Sequence, residues 1–213
     1  MAAGDTPDIE LLERWRDGDS RAGEVLAGRY FMVIRAYFLN KAPAVHEDLV
    51  QETFVRLASK LDRYRGASSF RTFIFGIARM ILLEYLRSKR RDARFDPMEQ
   101  SAVDIEGGRM SSVIARQQSH QLVLEALREL PLVDQELLEL YYWQKLTAGD
   151  IAEILQLPVP TVRSRIRAAL KRVNQGYGKL ASSPARGDDE LEGWLGELRQ
   201  QLAGLSVSLV PAG

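Results

Sequence analysis

Arg163, Ser164 and Arg167 lie within the run Thr147-Ala-Gly-Asp-Ile-Ala-Glu-Ile-Leu-Gln-Leu-Pro-Val-Pro-Thr-Val-Arg-Ser-Arg-Ile-Arg-Ala-Ala-Leu-Lys-Arg172, and a guanidinium group can span the two acceptors on the edge of guanine. Ile151, Ala152, Ile154 and Leu155 mark a short helix, and Pro158-Val159-Pro160 marks a turn. Thr161 is the capping candidate for a second helix whose Val162, Ile166 and Leu170 face inward, leaving Thr161, Arg163, Ser164 and Arg167 outward. This is the helix-turn-helix pattern, in which the second helix enters the major groove with its N-terminal side chains at the base edges. A plain helical hairpin with a solvated basic face is the alternative, and the basic character of the exposed positions argues against it.

Other chemistry finds little material. The chain has no cysteine, which excludes disulfides, thiolate metal sites and a cysteine nucleophile. His46 and His120 are the only histidines, and neither sits in a metal-ligand or nucleophile arrangement; each reads as a surface or helix-end residue. Gly107-Gly108 lacks the Lys-Ser/Thr of a phosphate loop. No enzyme activity, metal or cofactor is expected, and any catalysis belongs to a partner.

The charge distribution points to a polyanion. The 213 residues carry 29 Lys+Arg against 29 Asp+Glu, with 46% hydrophobic residues, an ordinary globular composition. That balance conceals a repeated order. Residues 8 to 52 hold six basic and nine acidic side chains, and residues 56 to 91 hold ten basic and two acidic. Residues 120 to 160 hold two basic and seven acidic, and residues 161 to 179 hold six basic and none acidic. Two basic blocks in a neutral chain favour nucleic acid contacted at two places, with acidic surface left for a different partner.

Helices must position these groups, because the apolar residues recur at helical and not alternating intervals. Ile9 to Trp15 and Val25 to Phe38 predict two packed helices with Asp19-Ser20 between them as a cap. Leu49, Val50, Phe54, Leu57, Ala58 and Leu61 predict a third beginning near His46, whose other face shows Asp48, Gln51 and Glu52. Phe73, Ile74, Ile77, Ala78, Ile81, Leu82, Tyr85 and Leu86 predict a fourth, separated from the third by the polar loop Arg63 to Ser69. Residues 96 to 106 hold four acids and no base, with Pro97 among them and Gly107-Gly108 just after, which reads as a linker. Periodicity returns from Leu122 to Trp143. Leu191, Trp194, Leu195, Leu198, Leu202 and Leu205 then predict a C-terminal amphipathic helix. No window approaches the roughly 18 apolar residues of a membrane span, and no targeting segment opens the chain, so a cytoplasmic protein without membrane insertion is expected.

With both blocks in view, the sequence resembles the bacterial RNA polymerase sigma factors, in the small extracytoplasmic-function group that keeps conserved regions 2 and 4. Asp48-Leu-Val-Gln-Glu-Thr-Phe-Val-Arg-Leu57 and Phe70-Arg-Thr-Phe-Ile-Phe-Gly-Ile-Ala-Arg79 carry the likeness to region 2. Leu130-Pro131 and Leu157-Pro-Val-Pro-Thr-Val-Arg-Ser-Arg-Ile166 carry it to region 4. Phe73 stands where members often have Trp, and Pro160 stands where they usually have Gly. The resemblance implies that Asp48, Gln51 and Glu52 face the clamp coiled coil of core RNA polymerase. It implies that Arg65, Ser68, Ser69, Phe70, Arg71, Phe73 and Arg79 read and open the minus-ten element of promoter DNA. It implies that Thr161, Arg163, Ser164, Arg167 and Lys171 read minus-thirty-five.

The expected protein is therefore all-α. Residues 8–95 form a region 2 domain, 96–119 a flexible acidic linker, 120–180 a region 4 domain with the helix-turn-helix, and 181–213 a C-terminal extension. Its function would be to bind core polymerase and direct promoter-specific initiation, with an anti-sigma factor as a further candidate partner. Two rivals remain: a stand-alone helix-turn-helix regulator, which would have no use for the Asp48 to Glu52 face, and a polymerase-binding regulator without promoter activity.

Overall fold

The computed structural model of the chain describes residues 6–64, 66–89, 96–101 and 118–181, together with Gly193. Among these residues every regular element is helical, as the periodicity predicts, with eight α-helices in chain order. The expected C-terminal helix through Leu191 to Leu205 lies outside the described residues.

Asp8–Arg16 (α1) ends where Gly18 adopts φ 95°, a left-handed value that suits glycine. Asp19 then caps Ser20–Leu39 (α2) by accepting the Ala22 N–H at 3.1 Å. Arg14 grips the same carboxylate at 2.7 Å and holds it below the usual carboxylate range, so the reversal between the helices is fixed by one side chain. Trp15 lies across Gly23 of α2, where a Cβ would come within 2.6 Å of the indole. His46–Lys60 (α3) passes through a short 3-10 turn, Leu61–Arg63, into the loop before Phe70–Lys89 (α4). Leu12, Leu26, Ile34, Phe38, Leu57, Ile74, Leu82 and Leu86 are fully buried among these four helices. Arg16 ties α1 to the loop by donating to the carbonyls of Leu61 and Tyr64.

The second domain consists of Gln118–Arg128 (α5), Leu132–Leu138 (α6), Ala148–Leu155 (α7) and Val159–Leu180 (α8). Pro131 stops α5 and opens α6. The N–H groups of Leu132 and Val133 at the start of α6 have no intrahelical partner, and they donate instead to the carbonyls of Gln100 and Pro97 at 2.8 and 2.9 Å. Residues 96–101 are thus bound to the second domain instead of forming part of a free tether. The rest of the expected linker up to residue 117 lies outside the described residues.

After Leu138 the helix widens into one π turn, Glu139–Trp143, whose Glu139 carbonyl accepts from Gln144 five residues on. A reciprocal capping box between Thr147 and Asp150 starts α7. Gln156 at φ 55° ends it.

One local expectation is corrected here. Thr161 does not cap the recognition helix, because α8 already begins at Val159, with Pro158 at the cap and Pro160 in the first turn. Proline fits there, since its fixed φ is helical and the N–H it lacks has no intrahelical acceptor at that position.

The close approach of Trp15 to Gly23 gives a paired test on one helix. Gly23→Ala should lower stability by about 1–3 kcal/mol through overpacking. Gly28→Ala, where a Cβ meets nothing within 4 Å, should raise it by about 0.5–1 kcal/mol through helix propensity. Urea unfolding of both variants checks the pair. Equal midpoints would show that the indole does not rest on α2 as described.

Candidate nucleic-acid interface

Helix α8 separates its two faces cleanly. Val162, Ile166, Ala169, Leu170, Val173 and Tyr177 are buried, while Arg163, Ser164, Arg167 and Lys171 are exposed and Thr161 is half-buried. Arg163 and Arg167 are four residues apart, so they share a side of the helix, and among the described residues neither has an ion-pair partner.

Arg165 and Arg172 are different. Both reach the buried carboxylate of Asp134 in α6, Arg165 at 3.0 Å. Six cations lie along this helix; Arg165 and Arg172 orient it, while Arg163, Arg167 and Lys171 are exposed. Sequence spacing alone does not separate the two groups, because nothing near Arg165 in the chain announces Asp134.

The N-terminal part of α4 holds most of the residues expected at minus-ten. Ser69 caps it by accepting the Thr72 N–H at 3.0 Å. Ser68 is half-buried and its carbonyl accepts from the Tyr64 hydroxyl, while Arg65 lies outside the described residues. Phe70 is core, packed edge-on to Tyr30 at 5.2 Å and near Tyr64 at 6.2 Å. Phe73 is half-buried and tilted over Tyr64 at 4.9 Å.

Arg71, Arg79 and the intervening Thr72 are engaged by the second domain. Arg71 donates to the Gln144 carbonyl at 2.9 Å, Thr72 to Asp150 at 2.9 Å, and Arg79 to Glu136 at 3.1 Å. Burial pushes the Asp150 carboxyl up, but hydrogen bonds from Thr147 and Thr72 outweigh it and hold the group below its ordinary value.

These contacts belong to a polar seam that the sequence reading did not anticipate. Tyr37 of α2 donates its hydroxyl to Glu136, and burial together with that carboxylate pushes the phenol well above its ordinary value. Lys41 and Asn40, just past α2, both bind Glu139, which also accepts from Gln135 at 3.2 Å. Lys41, Glu136 and Glu139 are almost entirely inaccessible. The available signal was the placement of Asp134, Glu136 and Glu139 in the run Leu132 to Leu140, whose other residues are apolar apart from Gln135.

Elsewhere in the first domain, Asp48 and Gln51 are exposed on α3, and Glu52 pairs with Arg56 at 2.6 Å. Arg56 also holds Glu84 of α4 at 2.7 Å and lowers that carboxyl below its usual range. Beside them lies an open apolar groove of about 720 Å³ lined by Phe31, Val50, Phe54, Val55 and Ala58, with Arg35, Glu47 and Gln51 at its edge. Phe31 and Val55 are 45% and 58% exposed, a combination that a solvated polar stripe would not require. Sequence reasoning missed the groove because these two residues fall beside the apolar stripes of α2 and α3, and only the packing brings them together.

His46 stands at the start of α3 with Nδ1 2.8 Å from the Pro43 carbonyl. Among the described residues no group of three acidic, histidine or cysteine side chains could hold a metal ion, and no helix is long and apolar enough to cross a membrane.

The geometry thus presents a helix-turn-helix with free cations, a second basic helix, and a separate acidic and apolar face. Comparison with known proteins gives these parts a family. The family model described as Sigma-70 region 2 matches residues 30–92, and that described as Sigma-70, region 4 matches residues 120–173; together they take in more than half of the chain. The chain is similar to the RNA polymerase sigma-H factor of Pseudomonas aeruginosa, with 29% identity over 186 residues covering 81% of this chain and 95% of that one. The ECF RNA polymerase sigma-E factor of Haemophilus influenzae is 28% identical over 179 residues, 78% of this chain and 93% of that one. The sigma-E factor of Escherichia coli K12 is 29% identical over 176 residues, 78% and 92%. Among solved structures, the sigma factor RpoE in complex with the anti-sigma factor NepR from Bartonella quintana has the same fold, with a TM-score of 0.57, 23% identity, and coverage of 74% of this chain and 96% of that one. Two sigma-70 regions in the right order, on an all-helical frame and with full-length relatives of one kind, place this chain in the sigma-70 family of RNA polymerase sigma factors, in its extracytoplasmic-function group, whose members bind core polymerase and direct it to promoters.

Proposed function

We propose that this sigma factor divides its work among three surfaces. Asp48, Gln51 and Glu52 dock on the clamp of core RNA polymerase, and the groove of Phe31, Phe54 and Val55 supplies the apolar part of that interface. The polar rim and apolar centre match the usual anatomy of a protein interface. The N-terminal half of α4, with the loop before it, meets the minus-ten element through Arg65, Ser68, Ser69, Arg71, Phe73 and Arg79. Phe70, packed between Tyr30 and Tyr64, supports that surface from beneath. Arg163, Ser164, Arg167 and Lys171, with Thr161 at their edge, read minus-thirty-five in the major groove. The observation that carries this reading is the division of α8, whose structural cations are satisfied by Asp134 while Arg163 and Arg167 are left exposed toward a ligand.

The chain performs no chemistry of its own; phosphodiester formation belongs to the polymerase, and both act in the cytoplasm. An anti-sigma protein is a further partner, by extension from the Bartonella complex. The residues 8–95 and 120–180 act as the polymerase and minus-ten domain and the minus-thirty-five domain respectively. The stand-alone regulator is the weaker reading, because it leaves the exposed groove on α2 and α3 without an occupant.

Two outcomes check the assignments. Replacing Asp48 and Gln51 together by Ala should weaken core polymerase binding tenfold or more, about 1.4 kcal/mol, with helical content and melting unchanged. Affinity within the ±0.5 kcal/mol or so typical of a surface change would remove the clamp assignment. Arg163→Ala or Arg167→Ala should lose discrimination at one upstream promoter position, by about 1–3 kcal/mol, if the side chain reads a base. A phosphate contact would instead weaken all promoters alike and flatten the salt dependence. Position-by-position promoter competition distinguishes the two, and unchanged promoter use by both variants would exclude the major-groove placement.

A further inference from the structure

Helix α8 carries cations on two sides, and only one side is left to a ligand. Arg163, Arg167 and Lys171 follow one another at intervals of four, share one side and are exposed. Arg165 and Arg172 are seven residues apart, close to two full turns, and share another. Both reach the carboxylate of Asp134 in the first turn of α6, which is wholly buried. Among the described residues neither arginine has another ion-pair partner.

One cation is enough to neutralise one buried carboxylate. The second is in excess, and Arg172, whose side chain is 51% exposed, is not drawn inward by apolar packing. The two arginines leave the helix at points about 10 Å apart along its axis, yet they converge on one group. A recognition helix in the major groove lies between phosphate backbones, and long cations on its flanks are the groups able to reach them. Arg165 and Arg172 occupy such a flank, between the base-facing side and α6.

From this convergence we propose that Asp134 is a positioning residue for minus-thirty-five reading, one that withholds Arg165 and Arg172 from the DNA backbone. The consequence is discrimination at the expense of affinity.

Phosphate contacts carry no sequence information. In a specific seating, the base contacts of Arg163 and Arg167 fix where every other side chain of α8 must lie. In a non-specific seating no such constraint exists, and a freed arginine is able to settle wherever a phosphate is within reach. Releasing the pair therefore favours random DNA more than the preferred sequence, and discrimination is the difference between the two. A buried carboxylate that claims both guanidinium groups prevents this.

The inference rests on the placement of α8 in the major groove, and the test keeps the two apart. The full-length chain is titrated by fluorescence anisotropy against two fluorescein-labelled duplexes, one of random sequence and one enriched by the unaltered chain from a random pool. Asp134→Asn should bind the random duplex at least threefold more tightly and lose at least threefold in its preference for the enriched one. Its dependence of log affinity on log salt should steepen by about one to two, since each phosphate neutralised contributes about 0.9. Glu129→Gln, which removes the same charge from an exposed position on α5, should leave that slope unchanged.

Arg172→Gln provides the second route, because Arg165 stays on Asp134 and the carboxylate remains paired. In the unaltered chain it should leave the salt slope as it was; in the Asp134→Asn background it should flatten the slope by about 0.9. Circular dichroism and melting verify that each variant is folded. A flattening of that size in the unaltered chain would overturn the proposal, since Arg172 would then already hold a phosphate. So would an unchanged slope, or weaker binding to both duplexes, in folded Asp134→Asn. Failure of the groove placement would show separately, as an unaltered preference for the enriched duplex in both Arg163→Ala and Arg167→Ala.

Discussion

A carboxylate cannot be buried unpaired, and helix α6 with the π turn after it places three of them, Asp134, Glu136 and Glu139, where water does not reach. All seven residues of Leu132–Leu138 are buried, and Glu139 follows them into the interior. Leaving one such charge without a partner costs several kcal/mol even after relaxation, so the geometry around α6 is set by where cations can be brought. Arg165 and Arg172 come from one side and fix the roll of α8. Arg79 and Lys41 come from the other and fix the second domain on the first. The orientation of the recognition helix and the cover over α4 follow from this one helix.

The same arrangement joins polar and apolar packing between the two sets of helices. The buried aliphatic and aromatic residues form one continuous cluster through both sets of helices, running from Leu12, Phe38 and Leu82 to Val123, Leu137 and Val162. The contacts across the seam include ion pairs and hydrogen bonds, whose net contribution is small because the separated groups are well solvated. The exposed apolar groove on α2 and α3 is lined by Phe31, Val50, Phe54, Val55 and Ala58, none of which takes part in the polar seam.

Much of this was legible in the sequence wherever one helix and its periodicity carried the information. The stripes of α1 to α4, the Asp19 cap, the stop at Pro131 and the inward Val162, Ile166 and Leu170 all follow from spacing and capping chemistry. What was not legible depended on partners distant in the chain. Arg165 and Arg167 look alike until Asp134 claims the first. Glu136 and Glu139 have no partner within reach in sequence, and only the fold brings Arg79, Tyr37 and Lys41 to them. Phe31 and Val55 lie beside their stripes, and become a groove only when α2 packs on α3. The start of α8 was misplaced by three residues for a local reason, because a prolyl pair that looks like a turn also fits the first turn of a helix.

The family assignment makes one demand that no isolated DNA-binding module would meet: specific initiation must require this chain and core polymerase together. Core RNA polymerase freed of its own initiation factors, mixed with a pooled promoter library, tests it by sequencing the transcripts made with and without the protein. The account predicts defined start sites only when the protein is present, on templates that share two upstream sequence elements at a fixed spacing. Transcripts with the same start sites in both reactions, or DNA selection by the protein that leaves initiation unchanged, would contradict it.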